Sequence, residues 1–152
     1  MVALVRDLAH HIGDASLAKG TAEQLSAALE EPHPACRGLV AEEQGRIVGI
    51  CLYSIIYSTW RGLPGIYVID LYVRPETRRG RLGERLLAHA AREGWRRGCR
   101  FFRLEVDAGN AGAMRFYQRL GFKTLERDRC FALDQAGFEA LASTAEPAVG
   151  AE

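Results

Sequence analysis

Residues 67–87 read YVIDLYVRPETRRGRLGERLL, and the fold turns on them. The first seven are β-branched and aromatic for the most part, which predicts a strand over 65–73. Pro75 stops that strand. An Arg- and Gly-rich stretch follows. Leu82, Leu86, Ala90 and Trp95 then mark one approximate stripe of a helix over 82–97. A strand that passes through a tight turn into a helix points several backbone N–H groups at one spot. The helix N-terminus adds partial positive charge there. Arg78, Arg79 and Arg81 add full charges, and glycine lets backbone approach a ligand closely. A phosphate-bearing ligand fits, and so does an ordinary connection with solvated arginines. The run Gly80-Arg81-Leu82-Gly83 is neither a Walker loop nor GxGxxG.

Upstream, Val2, Val5, Leu8 and Ile12 recur at helical spacing up to Gly13. Thr21 and Gln24 have the spacing of a capping box for a helix over 21–30. Residues 39–43 and 46–57 read as strands around a Gln44-Gly45 turn. Residues 58–65 form a loop carrying Trp60. Downstream, 101–106 alternates as a strand, and Asn110 caps a helix that runs to Leu120 with Gly121 just past it. Residues 122–126 and 130–133 read as two short strands, and 138–142 as a helical turn. Ser143–Glu152 is small, polar and proline-containing, so a disordered tail is expected. The chain is expected to be a single domain over 1–142, a mixed α/β layer structure without internal repeats.

Composition narrows the function. A chain of 152 residues with 48% hydrophobic and 26% charged residues suits one globular domain rather than a disordered segment. The net charge of +1 hides an asymmetry: residues 71–103 carry ten arginines against three glutamates. A basic block in a near-neutral protein suggests a local anionic ligand, or a merely solvated helix face, before it suggests a long polyanion. Nucleic acid is not an expected partner, since the helix lacks aromatic interleaving. The cysteines at 36, 51, 99 and 130 form no CxxC pair and have no zinc-ligand spacing, so reduced thiols and no metal are expected. The apolar run 47–57 is too short for a helical membrane span. Arg6, Asp7, His10 and His11 break up any leader-like opening. A soluble cytoplasmic protein is expected.

A second stretch, LEVDAGNAGAMRFYQRLGF over 104–122, carries the rest. Tyr117 follows Asn110 by about two helical turns, ~10 Å along the axis. Taken alone, Asn110 is a plain cap and Tyr117 a core tyrosine. Together the two stretches resemble the GNAT superfamily of acetyl-CoA-dependent N-acetyltransferases, over nearly the whole of 2–133. The second stretch matches N-x-x-A-x-x-F-Y-x-x-x-G-F at every position. The first matches Q/R-x-x-G-x-G/A at Arg78–Gly83, except that Arg81 stands where the family has glycine. Members usually open with a strand ahead of the first helix, and here Met1 sits almost on that helix. Tyr57–Gly62 and Tyr67–Val73 are similar to the spermidine/spermine (diamine) acetyltransferase branch. Trp60 and Asp70 match it, whereas Ser58 and Ile69 replace two acidic residues.

The resemblance implies a mixed, mostly antiparallel sheet flanked by helices, and direct acetyl transfer to a primary amine of a small molecule. It implies that backbone groups of Leu71 and Val73, the turn Arg78, Arg79, Gly80, Arg81, Leu82, Gly83, and Asn110 hold acetyl-CoA. It implies that Tyr117 is the acid toward the leaving sulfur, its ordinary pKa lying near that of a thiol. Trp60 and Ile69 would line the acceptor site, Trp60 by cation–π contact. Asp70 is the candidate base, although strict alternation sets it on one face with Val68 and Tyr72, and Ile69 on the other with Tyr67 and Leu71. Asp70 could serve only if a bulge re-aims it, or through water, and water itself is another candidate for taking the proton. Glu105 and Asp107 are other candidates. A homodimer is expected. A weakly active CoA-binding regulator and a protein N-terminal or lysine acetyltransferase stand as alternatives.

Overall fold

The computed structural model describes residues 1–30 and 32–145, without the side chains of Leu17 and Arg79. These form two compact units, Met1–Leu120 and a second from Gly121 onward. The first unit runs α1 (Val2–Ile12), α2 (Ala22–Leu29), β1 (Arg37–Glu43), β2 (Arg46–Ser58), β3 (Leu63–Val73), α3 (Leu82–Arg96), β4 (Phe102–Leu104) and α4 (Ala111–Arg119). The sheet order is β1-β2-β3-β4. The first two pairings are antiparallel and β3–β4 is parallel. This is the mixed, mostly antiparallel sheet that the sequence leads one to expect.

Local chemistry places the boundaries. Gly13 ends α1 in the left-handed region at φ 88°. The Thr21 hydroxyl accepts from Gln24 N–H at 3.2 Å, while the Gln24 side chain accepts from Thr21 N–H at 2.9 Å. Gln44 and Gly45 both have positive φ, the conformation that suits a two-residue hairpin.

The core lies on both faces of the sheet. On one, Tyr53, Ile66, Val68 and Val73 pack with Leu82, Leu86, Leu87 and Ala90 of α3. On the other, Ile50 and Tyr72 pack with Leu4 of α1. Gly94 brings α3 close to β3: a Cβ there would lie 2.5 Å from Ile66 Cδ1 and 3.2 Å from Cys99 Cβ. Alanine would gain about 1 kcal/mol of helix propensity. Overpacking at a fully buried contact costs roughly 1–3 kcal/mol. Gly94→Ala is therefore expected to lower stability, read as a lower urea midpoint with unchanged m; a raised midpoint would contradict the close approach.

The strand β4 is shorter than the sequence suggested. Its ladder with β3 holds only Ile66↔Phe102, Tyr67↔Arg103 and Val68↔Leu104. The reason lies in β3. Across from it Leu52 pairs with Asp70 but Tyr53 pairs with Val68, so Ile69 is an extra residue, a β-bulge.

In the second unit, α5 (Gln135–Ala142) starts three residues earlier than expected because Asp134 caps it, accepting from Gly137 N–H at 2.8 Å. The strands expected at 122–126 and 130–133 are not there. The backbone turns at Asp128 N–H to Leu125 C=O, and Leu125, Phe131 and Leu133 are exposed. A strand needs a ladder and a face to bury, and among the described residues neither segment is assigned to a strand. Ser143–Ala145, placed in the tail by composition, continue α5 as hydrogen-bonded turns. The rest of the expected tail, 146–152, lies outside the described residues.

Candidate active site

Two hydrogen bonds show what the bulge does. Ile66 N–H points toward β4, donating to Phe101 C=O at 2.9 Å, whereas Arg74 N–H points toward β2, donating to Val48 C=O at 2.9 Å. Both residues are even-numbered, so simple alternation would send both N–H groups to one edge. The extra residue at Ile69 reverses the phase. Counting back from Arg74, Val73 and Leu71 turn their N–H groups to the β4 edge, where the ladder has already ended. A gap opens there, lined on the β3 side by two backbone donors.

Side chains change phase as well. Val68 before the bulge and Leu71 and Val73 after it all face α3. Asp70 faces the other way. Its ladder partner Leu52 lies against Gly38 beside Met1 and Leu29, on the α1 side, and directly paired residues share a face. The expected grouping of Asp70 with Val68, and of Ile69 with Leu71, is thus corrected. Asp70 keeps company with Tyr72 but not with Val68. Ile69, at the bulge, is 47% exposed.

Tyr117 sits on the α3 face, half-buried against the main core cluster, its ring edge-on to Phe116 at 5.1 Å. Burial pushes its phenol well above the ordinary range, and the Cys51 sulfur adds to this. Cys51 itself is pushed up to about 12 by burial and by the Asp70 carboxylate, so it stays a neutral thiol. Burial also raises Asp70 above the ordinary carboxylate value. Tyr117 thus lies on one face of the sheet as a protonated phenol and Asp70 on the other as a carboxylate of enhanced basicity. The thiol-matched pKa expected for Tyr117 is lost to burial. What remains is a phenol that keeps its proton. Asp107, another candidate base, instead accepts from Gly109 N–H at 2.8 Å and orders the turn before α4.

The turn after β3 is a short 3₁₀ segment, Pro75–Gly80. Arg78 is engaged with the fold: its Nε donates to Val73 C=O at 3.0 Å and its guanidinium lies over the Tyr72 ring. The Arg79 side chain lies outside the described residues. A Cβ on Gly80 would meet only Leu82 Cγ, at 3.7 Å, so there is open space before the turn for a ligand. Gly83 has a packing reason of its own, since a Cβ there would press on Phe116 Cζ at 3.3 Å. No side chain caps α3, whose first N–H groups are the orphan donors of a helix N-terminus. Asn110 caps α4, accepting from Ala113 N–H at 3.0 Å. These groups fit a phosphate-bearing cosubstrate.

Arg81 occupies the left-handed region, φ 54°, and forms an exposed pair with Glu84, its Nε 2.8 Å from Oε2. Left-handed backbone costs an L-residue roughly 1–2 kcal/mol. An exposed pair returns about 0–1 kcal/mol. Arg81→Gly is therefore expected to leave the melting temperature unchanged or raise it by a few degrees; a fall would contradict the strain.

Trp60 is not brought to this cluster. It is 99% exposed at the tip of the β2–β3 hairpin. Leu63 to Ile69 spans ~20 Å of strand. Sequence reading missed the phase change, although Ile66, Val68, Leu71 and Val73 carried a signal: the apolar positions switch from even to odd.

A family model described as "Acetyltransferase (GNAT) family" matches residues 6–122. Thialysine N-epsilon-acetyltransferase of Sus scrofa is 35% identical over 130 residues, 80% of this chain and 76% of that protein. The Bos taurus protein of the same name is 34% identical over 150 residues, 91% of this chain and 88% of that one. Among solved structures, an integron cassette protein from the mobile metagenome of V. cholerae superposes with a TM-score of 0.76 at 19% identity, covering 93% of this chain and 88% of that one. That likeness is one of fold.

Proposed function

The chain belongs to the GNAT acetyltransferase family, and on that premise we propose that it acetylates the terminal primary amine of a small amino-acid-like molecule or diamine in the β3–β4 gap. It is an N-acetyltransferase that uses acetyl-CoA. The observation behind this reading is the bulge at Ile69, beyond which the β3–β4 ladder has ended and the Leu71 and Val73 N–H groups turn to that edge.

In this reading the Leu71 and Val73 N–H groups orient the thioester, and Asn110 holds the pantetheine arm. The N-terminus of α3, with Gly80 and the arginines 78, 79 and 81, takes the phosphates. Asp70 accepts the ammonium proton on the α1 face. Tyr117 donates to the sulfur as charge develops on it. Holding both reactants across one gap makes a bimolecular step effectively unimolecular. The acceptor class rests on the thialysine acetyltransferases, and Ile69, in place of an acidic residue, weighs against a long polyamine. A cytosolic homodimer belongs to the same reading. The exposed Tyr57 and Trp60 at the hairpin end suit a partner surface, across which Trp60 would reach an acceptor. Light scattering checks the dimer.

Thiol release from acetyl-CoA, followed with thialysine, lysine, putrescine and spermidine, tests the activity. Turnover is expected to be fastest with thialysine or lysine. Tight CoA binding without turnover on any amine would leave a CoA-binding regulator.

A further inference from the structure

Seven of the ten arginines in the block lie outside the acetyl-CoA turn, which uses Arg78, Arg79 and Arg81. Arg85, His89, Arg92 and Arg96 follow one another at i, i+4, i+7 and i+11, a single exposed stripe of α3. None of the four has an acidic partner among the described residues. Beside the stripe, α3 and β1 enclose a cleft of about 530 Å³ lined by Leu39, His89, Arg92, Glu93, Arg96 and Arg97. Its one carboxylate is already engaged: Glu93 lies 3.7 Å from both Arg37 and Arg97. The fully buried Tyr53 hydroxyl sits near Glu93 without reaching hydrogen-bond geometry. Arg92 lies ~15 Å along the helix from Leu82, too far to serve phosphates held at the α3 N-terminus.

We infer that this cleft binds a small multivalent anion of the phosphate class at a site separate from that of acetyl-CoA. Arg92 and Arg96 make the charge-assisted hydrogen bonds, and His89 lines the rim. The concavity and the Leu39 wall suit a compact molecule.

Titration calorimetry of inorganic tripolyphosphate into the CoA-saturated protein tests the inference, since CoA keeps its own phosphate site filled. About one equivalent is expected to bind. Arg92→Gln with Arg96→Gln is expected to weaken binding at least tenfold, with kcat and the acetyl-CoA KM unchanged when no anion is added. Absence of heat, or equal affinity in the double variant, overturns the site. Duplex DNA that binds the same stripe more tightly than tripolyphosphate at physiological salt overturns the small-anion assignment. Circular dichroism of the double variant shows that it is folded, so a loss of binding is a loss at the site.

Discussion

Tyr117→Phe is expected to lower kcat by roughly 10²–10³-fold, the usual cost of removing a positioned acid or charge-stabilising donor. The acetyl-CoA KM is expected to stay within about twofold, because the hydroxyl acts on charge that appears only in the transition state. The ring, not the hydroxyl, makes the edge-on contact with Phe116 and packs on the core, and phenylalanine keeps it. Large losses of stability are therefore not expected, and a fall in rate reports chemistry rather than unfolding. Burial sets the pH behaviour as well. With its pKa raised, the phenol stays protonated throughout the range in which ordinary tyrosines begin to ionise. No alkaline decline attributable to Tyr117 is expected below about pH 10. Unchanged kcat in the variant would remove Tyr117 from the mechanism.

Asp70→Asn is expected to act on rate and stability in opposite directions. Removing a general base costs roughly 10²–10⁴-fold in kcat/KM for the amine. The carboxylate, however, is held partly out of water with its pKa raised. A raised acidic pKa means that the fold prefers the protonated form. The charge then destabilises the fold above the raised pKa, and this effect disappears below the unfolded value of about 4. The asparagine variant should accordingly melt higher than the parent at pH 7, with the difference closing as pH falls toward 4. Melting curves at several pH values, alongside initial rates, check both. A variant with full activity would return the base role to Glu105 or to water. A variant that melts lower at pH 7 would show Asp70 to be a structural carboxylate.

Much of this was legible in the residues. Thr21 and Gln24, Gln44-Gly45, Gly13 and Asn110 act through local backbone chemistry, and each does in the structure what its type and spacing dictate. The α/β layering followed from the order of strand and helix patterns, and the mixed sheet from the resemblance to the GNAT family. The bulge did not follow: Ile69 and Asp70 carry no glycine to mark it, and the even-to-odd switch of the apolar positions across them gains its meaning only from pairing with β2. That single residue decides which face Asp70 occupies and which N–H groups reach the gap. Arg81 shows the reverse case: the sequence showed a missing glycine, and the positive φ gives the reason glycine belongs there. The strands read at 122–126 and 130–133 failed because alternation predicts a face to bury, not the presence of a partner. Trp60 lies at the hairpin tip, away from the bulge, because position along a strand, not proximity in sequence to a motif, sets distance.

Acetyl-CoA held in the β3–β4 gap by the amides beyond the bulge would leave its mark on those amides. Amide NMR of the ¹⁵N-labelled protein titrated with acetyl-CoA tests it most directly. Leu71 and Val73 amide protons are expected to shift strongly downfield as new hydrogen bonds form, while Ile66 and Tyr67, inside the ladder, move little. Saturable binding that leaves Leu71 and Val73 unmoved would contradict the account.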